Sequence, residues 1–182
     1  MFFFDEGGKE LTRLETKEEI FRIFVSEPLV AVQEGDMQAT LLNTKGEILG
    51  RIMSEKPIRD LTGTKERVFL AWQDQVQIFT LAGQRVAEVS LKEPIAGLAA
   101  SQTRLYVLTA MHSVLIFQAI DGISIGEVEN QIDPSAVFEK IIGFDQKLLA
   151  ISREGDDKVI ISFHDENGKL IVAFDLERAK PK

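Results

Sequence analysis

The sequence predicts an all-β protein built from a repeated unit of four short strands. Three observations carry that prediction: five turn glycines followed by one apolar pattern, strand-length apolar runs between polar clusters, and regularly spaced prolines.

The glycines are Gly8, Gly46, Gly83, Gly122 and Gly168. Three residues after each stand Leu11, Leu49, Val86, Ile125 and Ile171. The next residues are Thr12, Gly50, Ala87, Gly126 and Val172, mostly small, and six after the glycine come Leu14, Ile52, Val89, Val128 and Phe174. The five copies align without a gap. Each glycine lies in a polar cluster suited to a hairpin turn, such as Asn43-Thr44-Lys45-Gly46, Asp121-Gly122 or Asn167-Gly168, whose residues tolerate positive φ.

Before each turn runs a β-rich segment, strand C: Phe2–Phe4, Ala39–Leu42, Val76–Phe79, Val114–Phe117 and Ile160–Phe163. The run after the turn is strand D. Upstream of four C strands lies strand B, at Leu29–Val32, Val68–Ala71, Leu105–Leu108 and Leu148–Ile151. Strand A precedes it at Ile58–Thr62, Ile95–Ala99 and Ile141–Phe144. In the first full copy, Thr16–Glu27 should supply strand A. Thr16 with Glu19 also matches a capping box, and Ile20, Phe21, Ile23 and Phe24 could line a helix, but the repeat favours a strand. Pro57, Pro94 and Pro134 mark boundaries, spaced 37 and 40 residues apart.

A period of about forty residues with four strands is that of a propeller blade. The predicted fold is a small or incomplete β-propeller in a single domain, with four full four-stranded blades at 16–57, 58–94, 95–134 and 135–177. An N-terminal half-blade hairpin occupies 1–15, and 178–182 form a tail. In this blade pattern the chain resembles the broad propeller group of WD-repeat, kelch, NHL and quinoprotein-type proteins. The glycine-histidine and tryptophan-aspartate pairs of WD repeats are absent; Trp72, followed by Gln73, ends a B strand. The resemblance implies a scaffold that hosts many unrelated activities.

Composition narrows the function classes. There are no cysteines, which removes disulfides, thiolate metal sites and cysteine nucleophiles and fits a cytoplasmic location. The net charge of −8, without a Lys/Arg cluster, argues against direct nucleic-acid or anionic-membrane binding. No apolar run is long enough for a membrane span, and Met1-Phe2-Phe3-Phe4, followed by Asp5 and Glu6, lacks the basic leader of a signal peptide.

Chemistry-bearing residues are sparse. His112, in the turn Ala110-Met111-His112-Ser113, and His164, at a strand end beside Asp165, lack partners at metal-ligand spacing, and no metal or cofactor is expected. Ser113 near His112 and Ser162 near His164 lack a nucleophile elbow and a third member. Arg153-Glu154-Gly155-Asp156-Asp157-Lys158 lacks the ligand alternation of a calcium loop and reads as a solvated B–C hairpin. Gly7-Gly8 is a turn rather than a phosphate cradle. Phe69, Trp72, Tyr106 and Phe117 fall on strand periodicity and belong between blades rather than on a base-stacking platform.

The expected function is a non-catalytic protein-interaction or assembly module, with no catalytic residues. A small-molecule-binding or enzymatic propeller using Asp60, Asp74, Asp145 or Arg153, and a regulatory domain of a larger complex, are the rivals. The half-blade singles out an assembly edge, Phe2, Phe3, Phe4, Leu11 and Leu14, because five C–D hairpins meet only four A–B pairs. The expected partner there is a protein, another copy or a different subunit.

Overall fold

The computed structural model describes residues 2–4, 7–16, 18–128, 137–154 and 158–177, and all of its regular elements are strands. Pro134, the acidic stretch 155–157 and the tail 178–182 lie outside the described residues. The described chain forms two compact units, Met1–Ser90 and Leu91–Lys182.

In the first unit, β1 (Phe2–Phe4) and β2 (Glu10–Arg13) form a two-stranded hairpin. The first four-stranded sheet follows: β3 (Ile20–Ser26), β4 (Leu29–Glu34), β5 (Gln38–Asn43) and β6 (Ile48–Met53). The second holds β7 (Asp60–Gly63), β8 (Arg67–Ala71), β9 (Gln75–Thr80) and β10 (Arg85–Ser90). In the second unit, the third sheet is β11 (Ile95–Ala100), β12 (Arg104–Thr109), β13 (Val114–Gln118) and β14 (Ser124–Val128). The fourth is β15 (Val137–Phe144), β16 (Lys147–Glu154), β17 (Lys158–Asp165) and β18 (Leu170–Glu177). Within every sheet the strands pair antiparallel in chain order.

The turn glycines organise the C–D hairpins. All five have φ between 76° and 84°. At the first full blade, Gly46 N–H donates to the Asn43 carbonyl (2.9 Å) and Asn43 N–H to the Glu47 carbonyl (3.0 Å). The Asn43 carboxamide oxygen accepts the amides of Lys45 and Glu47. Asp165 repeats this arrangement around Gly168. Such a turn places its fourth residue in the left-handed region and is followed by a bulge, and each C–D ladder shows a register shift beside its turn.

Within 16–27 the structure has a strand over Ile20–Ser26, whose Ile23, Phe24 and Val25 pair with Val32, Ala31 and Val30 of β4. Phe24 then points into the core between the first two sheets, and Ile23 and Val25 point to the opposite face. Two expected strand-A starts move: β15 begins at Val137 rather than Ile141, and β7 at Asp60 rather than Ile58. Ile58 and Arg59 precede β7, since the Ile58 amide donates to Asp36 O in the B–C turn of the previous blade (2.7 Å).

Each unit has an apolar layer between adjacent sheets. In the first, Leu29, Leu41 and Ile52 pack with Leu61, Leu70 and Phe79. In the second, Tyr106, Leu108 and Ile116 pack with Phe138, Ile141 and Leu148. Val30, Val32 and Leu42 of the first sheet pack against Leu14, with Phe3 and Ile20 beside them.

Candidate functional site

Blade faces are apolar because each must cover a neighbour, so the exposed apolar faces are where a site is to be sought. One lies on the hairpin. Cross-strand pairing puts Phe2 opposite Arg13 and Phe3 opposite Thr12, so alternate residues face opposite ways. Phe3 and Leu14 turn inward onto the first sheet. Phe2, Phe4 and Leu11 remain exposed, with the Phe2 and Phe4 rings 6.3 Å apart and the Arg13 guanidinium 5.2 Å from the Phe2 ring centre. The five residues of the expected assembly edge therefore divide: three face solvent and two belong to the core. Alternation along a three-residue strand was the only signal for this, and a run of three phenylalanines hides it.

A wider face lies on the fourth sheet. Ladder pairing aligns Ile142 with Leu149, Leu149 with Phe163, Phe163 with Val172 and Ile161 with Phe174. Ile142, Phe144, Val172, Phe174 and Leu176 are exposed on this one side. Phe163 meets Phe144 and Phe174 edge-on at 6.2 and 6.4 Å. The other side of the same sheet carries Leu148, Ala150, Ile160 and His164, all buried.

His164 is the penultimate residue of β17, as the strand-end reading has it, but its ring is buried. It faces the core, opposite Leu148. Its Nδ1 lies 3.1 Å from the Gly168 carbonyl and its Nε2 2.9 Å from Ser162 Oγ. Carbonyl oxygen only accepts, so Nδ1 carries the proton and Ser162 donates to Nε2. Burial lowers the ring's pKa from 6.5, against weaker opposing effects of the Gly168 hydrogen bond and the Asp165 charge. Ser162 and His164 thus meet, but the position a carboxylate would hold in a triad is taken by a backbone carbonyl, and both side chains are buried. The pair serves packing.

The remaining candidates are tied into local structure. His112, at φ 65°, occupies the left-handed position of the β12–β13 turn and places Nδ1 2.9 Å from the Phe138 carbonyl. Asp60 lies 3.8 Å from Arg22 and accepts the Leu61 amide. Arg153 pairs with Glu139 at 2.9 Å. The Asp145 carbonyl accepts the Gln102 amide, and Asp74 lies in the turn before β9. Among the described residues, no three of His, Asp and Glu converge as a metal-holding group. Trp72 is buried and donates its indole N–H to Gln75 (2.8 Å), and Phe69, Tyr106 and Phe117 are buried as well.

No protein-family model and no curated protein matches the chain. Solved structures do. A variant of Hsv2 from Kluyveromyces lactis, its loop 6CD replaced by a Gly-Ser linker, aligns over 98% of this chain with TM-score 0.73 and 14% identity. BamB from Moraxella catarrhalis aligns over 94% with TM-score 0.63 and 10% identity. The WD40 repeats of RRP9 align over 81% with TM-score 0.60 and 12% identity. The four-stranded sheets and these likenesses define a β-propeller scaffold. The chain spans 62%, 57% and 49% of those three structures' own lengths.

Proposed function

We propose that the chain is a non-catalytic interaction or assembly module whose uncovered blade faces dock a protein. The observation that carries this is the apolar side of the fourth sheet. Ile142, Phe144, Val172, Phe174 and Leu176 share it with the half-exposed Leu149, Ile161 and Phe163. Corresponding residues of earlier sheets, such as Phe24 and Ala31 of the first or Ala99 and Tyr106 of the third, pack against the sheet that follows. A protein surface of similar shape is the natural cover. The partner is another copy or a different subunit. The non-catalytic part of the proposal is supported by the structural employment of His112, His164, Asp60 and Arg153. No helix among the described residues is long and apolar enough to cross a membrane, and the lack of cysteine fits a cytoplasmic setting.

The test is purification from the native source beside the double variant Phe174→Asp, Leu176→Asp. Both side chains are half exposed, so the variant should keep its melting temperature and lose a stoichiometric companion. A companion retained by a well-folded variant would exclude this face. A wild-type chain that sediments as a lone monomer, with no companion, would sink the proposal.

A further inference from the structure

At the turn end of the third sheet, two strands carry buried polar atoms that find no partner within the protein. The Ser101 amide donates to the Arg104 carbonyl (2.9 Å), which makes the two residues direct partners across the β11–β12 turn. Tyr106 pairs with Ala99, two residues further from the turn on each strand. Alternation therefore sets Ser101, Arg104 and Tyr106 on one face, at neighbouring positions about 5–8 Å apart. It is the face that packs on the fourth sheet, since Ala99 and Tyr106 lie among Phe138, Ile141 and Leu148. Tyr106 is wholly buried and Ser101 is 4% exposed. Ser101 Oγ, Arg104 Nε and Tyr106 Oη are shut off from solvent, and none of the three makes a hydrogen bond.

The rest of the guanidinium is occupied. Nη1 donates to the Thr103 carbonyl (3.4 Å) and Nη2 to Asn167 Oδ1 (3.4 Å), with the Glu166 carboxylate 3.8 Å away. Thr103 Oγ1 donates to Glu166 (2.8 Å) and the Gln102 amide to the Asp145 carbonyl (3.0 Å), so turns of the fourth sheet lie over this end of the third. Burial raises the Tyr106 pKa, and the phenol keeps its proton. The Ser101 hydroxyl is near enough to oppose that rise without reaching hydrogen-bond geometry. The second sheet supplies a contrast. Thr64 and Arg67 are joined as Ser101 and Arg104 are (Thr64 amide to Arg67 carbonyl, 2.8 Å), and Phe69, opposite Thr62, stands where Tyr106 does. There Thr64 Oγ1 accepts the amides of Glu66 and Arg67 and is satisfied within its own turn. The unpartnered set belongs to the sheet with the phenol.

We propose that Ser101, Arg104 and Tyr106 hold one internal water molecule between the third and fourth sheets. Buried polar groups pair with protein or with ordered water, and an internal water makes about three hydrogen bonds. The three atoms suit that ligand. Arg104 Nε only donates, whereas each hydroxyl can donate or accept. A water oxygen accepts from Nε and from one hydroxyl, and returns a proton to the oxygen of the other. An anion could accept from all three, but the Glu166 carboxylate beside Arg104 and the Asp165 charge near the phenol oppose it. The Arg104 charge opposes a cation. The water joins strands A and B of the third sheet where the turns of the fourth cover them.

Relaxation dispersion of the water-oxygen signal counts waters held longer than the protein takes to tumble, and it tests this on the full chain. The double variant Ser101→Ala, Tyr106→Phe removes two oxygens and no carbon, so it should still melt cooperatively. Its count should fall by about one water from the wild type. Thr64→Ala, which removes the equivalent hydroxyl of the second sheet, should leave the count unchanged, as should phosphate added to the wild type. An unchanged count in the folded double variant overturns the proposal, and so does an equal fall in Thr64→Ala. A fall on adding phosphate shows an anion at the site and overturns it too. Should the double variant fail to fold, a high-resolution crystal structure of the wild type decides. An oxygen within about 3.2 Å of all three atoms is the expected result. A direct Ser101–Tyr106 hydrogen bond with no third oxygen beside it overturns the proposal.

Discussion

At Gly83 and Gly8 the backbone is the same and the surroundings are not. Both have φ of +80°, so any side chain is strained there by about 1 kcal/mol or more. At Gly83 a Cβ would also press on the Arg51 main chain, which cannot move like a side-chain tip. Gly83→Val should therefore lose clearly more stability in urea unfolding than Gly8→Val. His164 gives a second prediction at this scale. The folded ring's pKa lies below 6.5, so above that pH folded and unfolded states are both neutral. As pH falls from 6.5 towards the lowered value, only the unfolded state takes up the proton, and stability drops. Register places Leu42 and Phe79 at the equivalent C-strand position, opposite Val30 and Val68. His164→Leu should flatten that acid-side decline in a pH series of melting curves, whereas His112→Ala, which removes an exposed ring, should not. The glycines were legible because only a few residues accept left-handed backbone. His164 was not, because a polar residue gives no sign that Ser162 and the Gly168 carbonyl will satisfy both ring nitrogens in the core.

Among elements, the short hairpin β1–β2 separates packing from exposure within three consecutive phenylalanines. Phe3 rests on the first sheet beside Val32 and Leu42, so Phe3→Ala should cost about 1–3 kcal/mol, short of the cost at a fully buried ring. Phe2→Ala removes an exposed ring with one cation–π contact and should cost about 0.5 kcal/mol or less. Denaturant midpoints of the two variants measure the difference. Strand identity was readable from the apolar runs and turn clusters in the four full blades except at β3, where the apolar pattern also fitted a helix and only the repeat favoured a strand. The start of β7 was less so, since Ile58 looks like a strand residue but spends its amide on Asp36. Periodicity reports which residues are apolar; it does not report which carbonyl an amide reaches.

For the molecule as a whole, a net charge of −8 governs its encounters with polyanions. Duplex DNA should show no mobility shift with the chain even at low salt, where counterion release would most favour binding. A shift would require a basic surface that the sequence does not suggest. The propeller scaffold itself was legible from the forty-residue period. Which faces stay uncovered was legible only as a strand count, because exposure at Ile23 or Phe174 depends on the presence of a neighbour rather than on the residue's own character.

The strictly consecutive pairing of strands has a consequence for synthesis. Each four-stranded ladder joins strands adjacent in the chain, so it can close once its own stretch has left the ribosome. Burial runs on a later clock, since Leu29 and Leu41 stay wet until Leu61 and Leu70 emerge. The nascent chain therefore always carries one finished sheet with one wet side. Among the described residues that interval is still open at β18, one side of which stays exposed. Chaperones that recognise exposed apolar strands would meet the nascent chain at whichever sheet is newest.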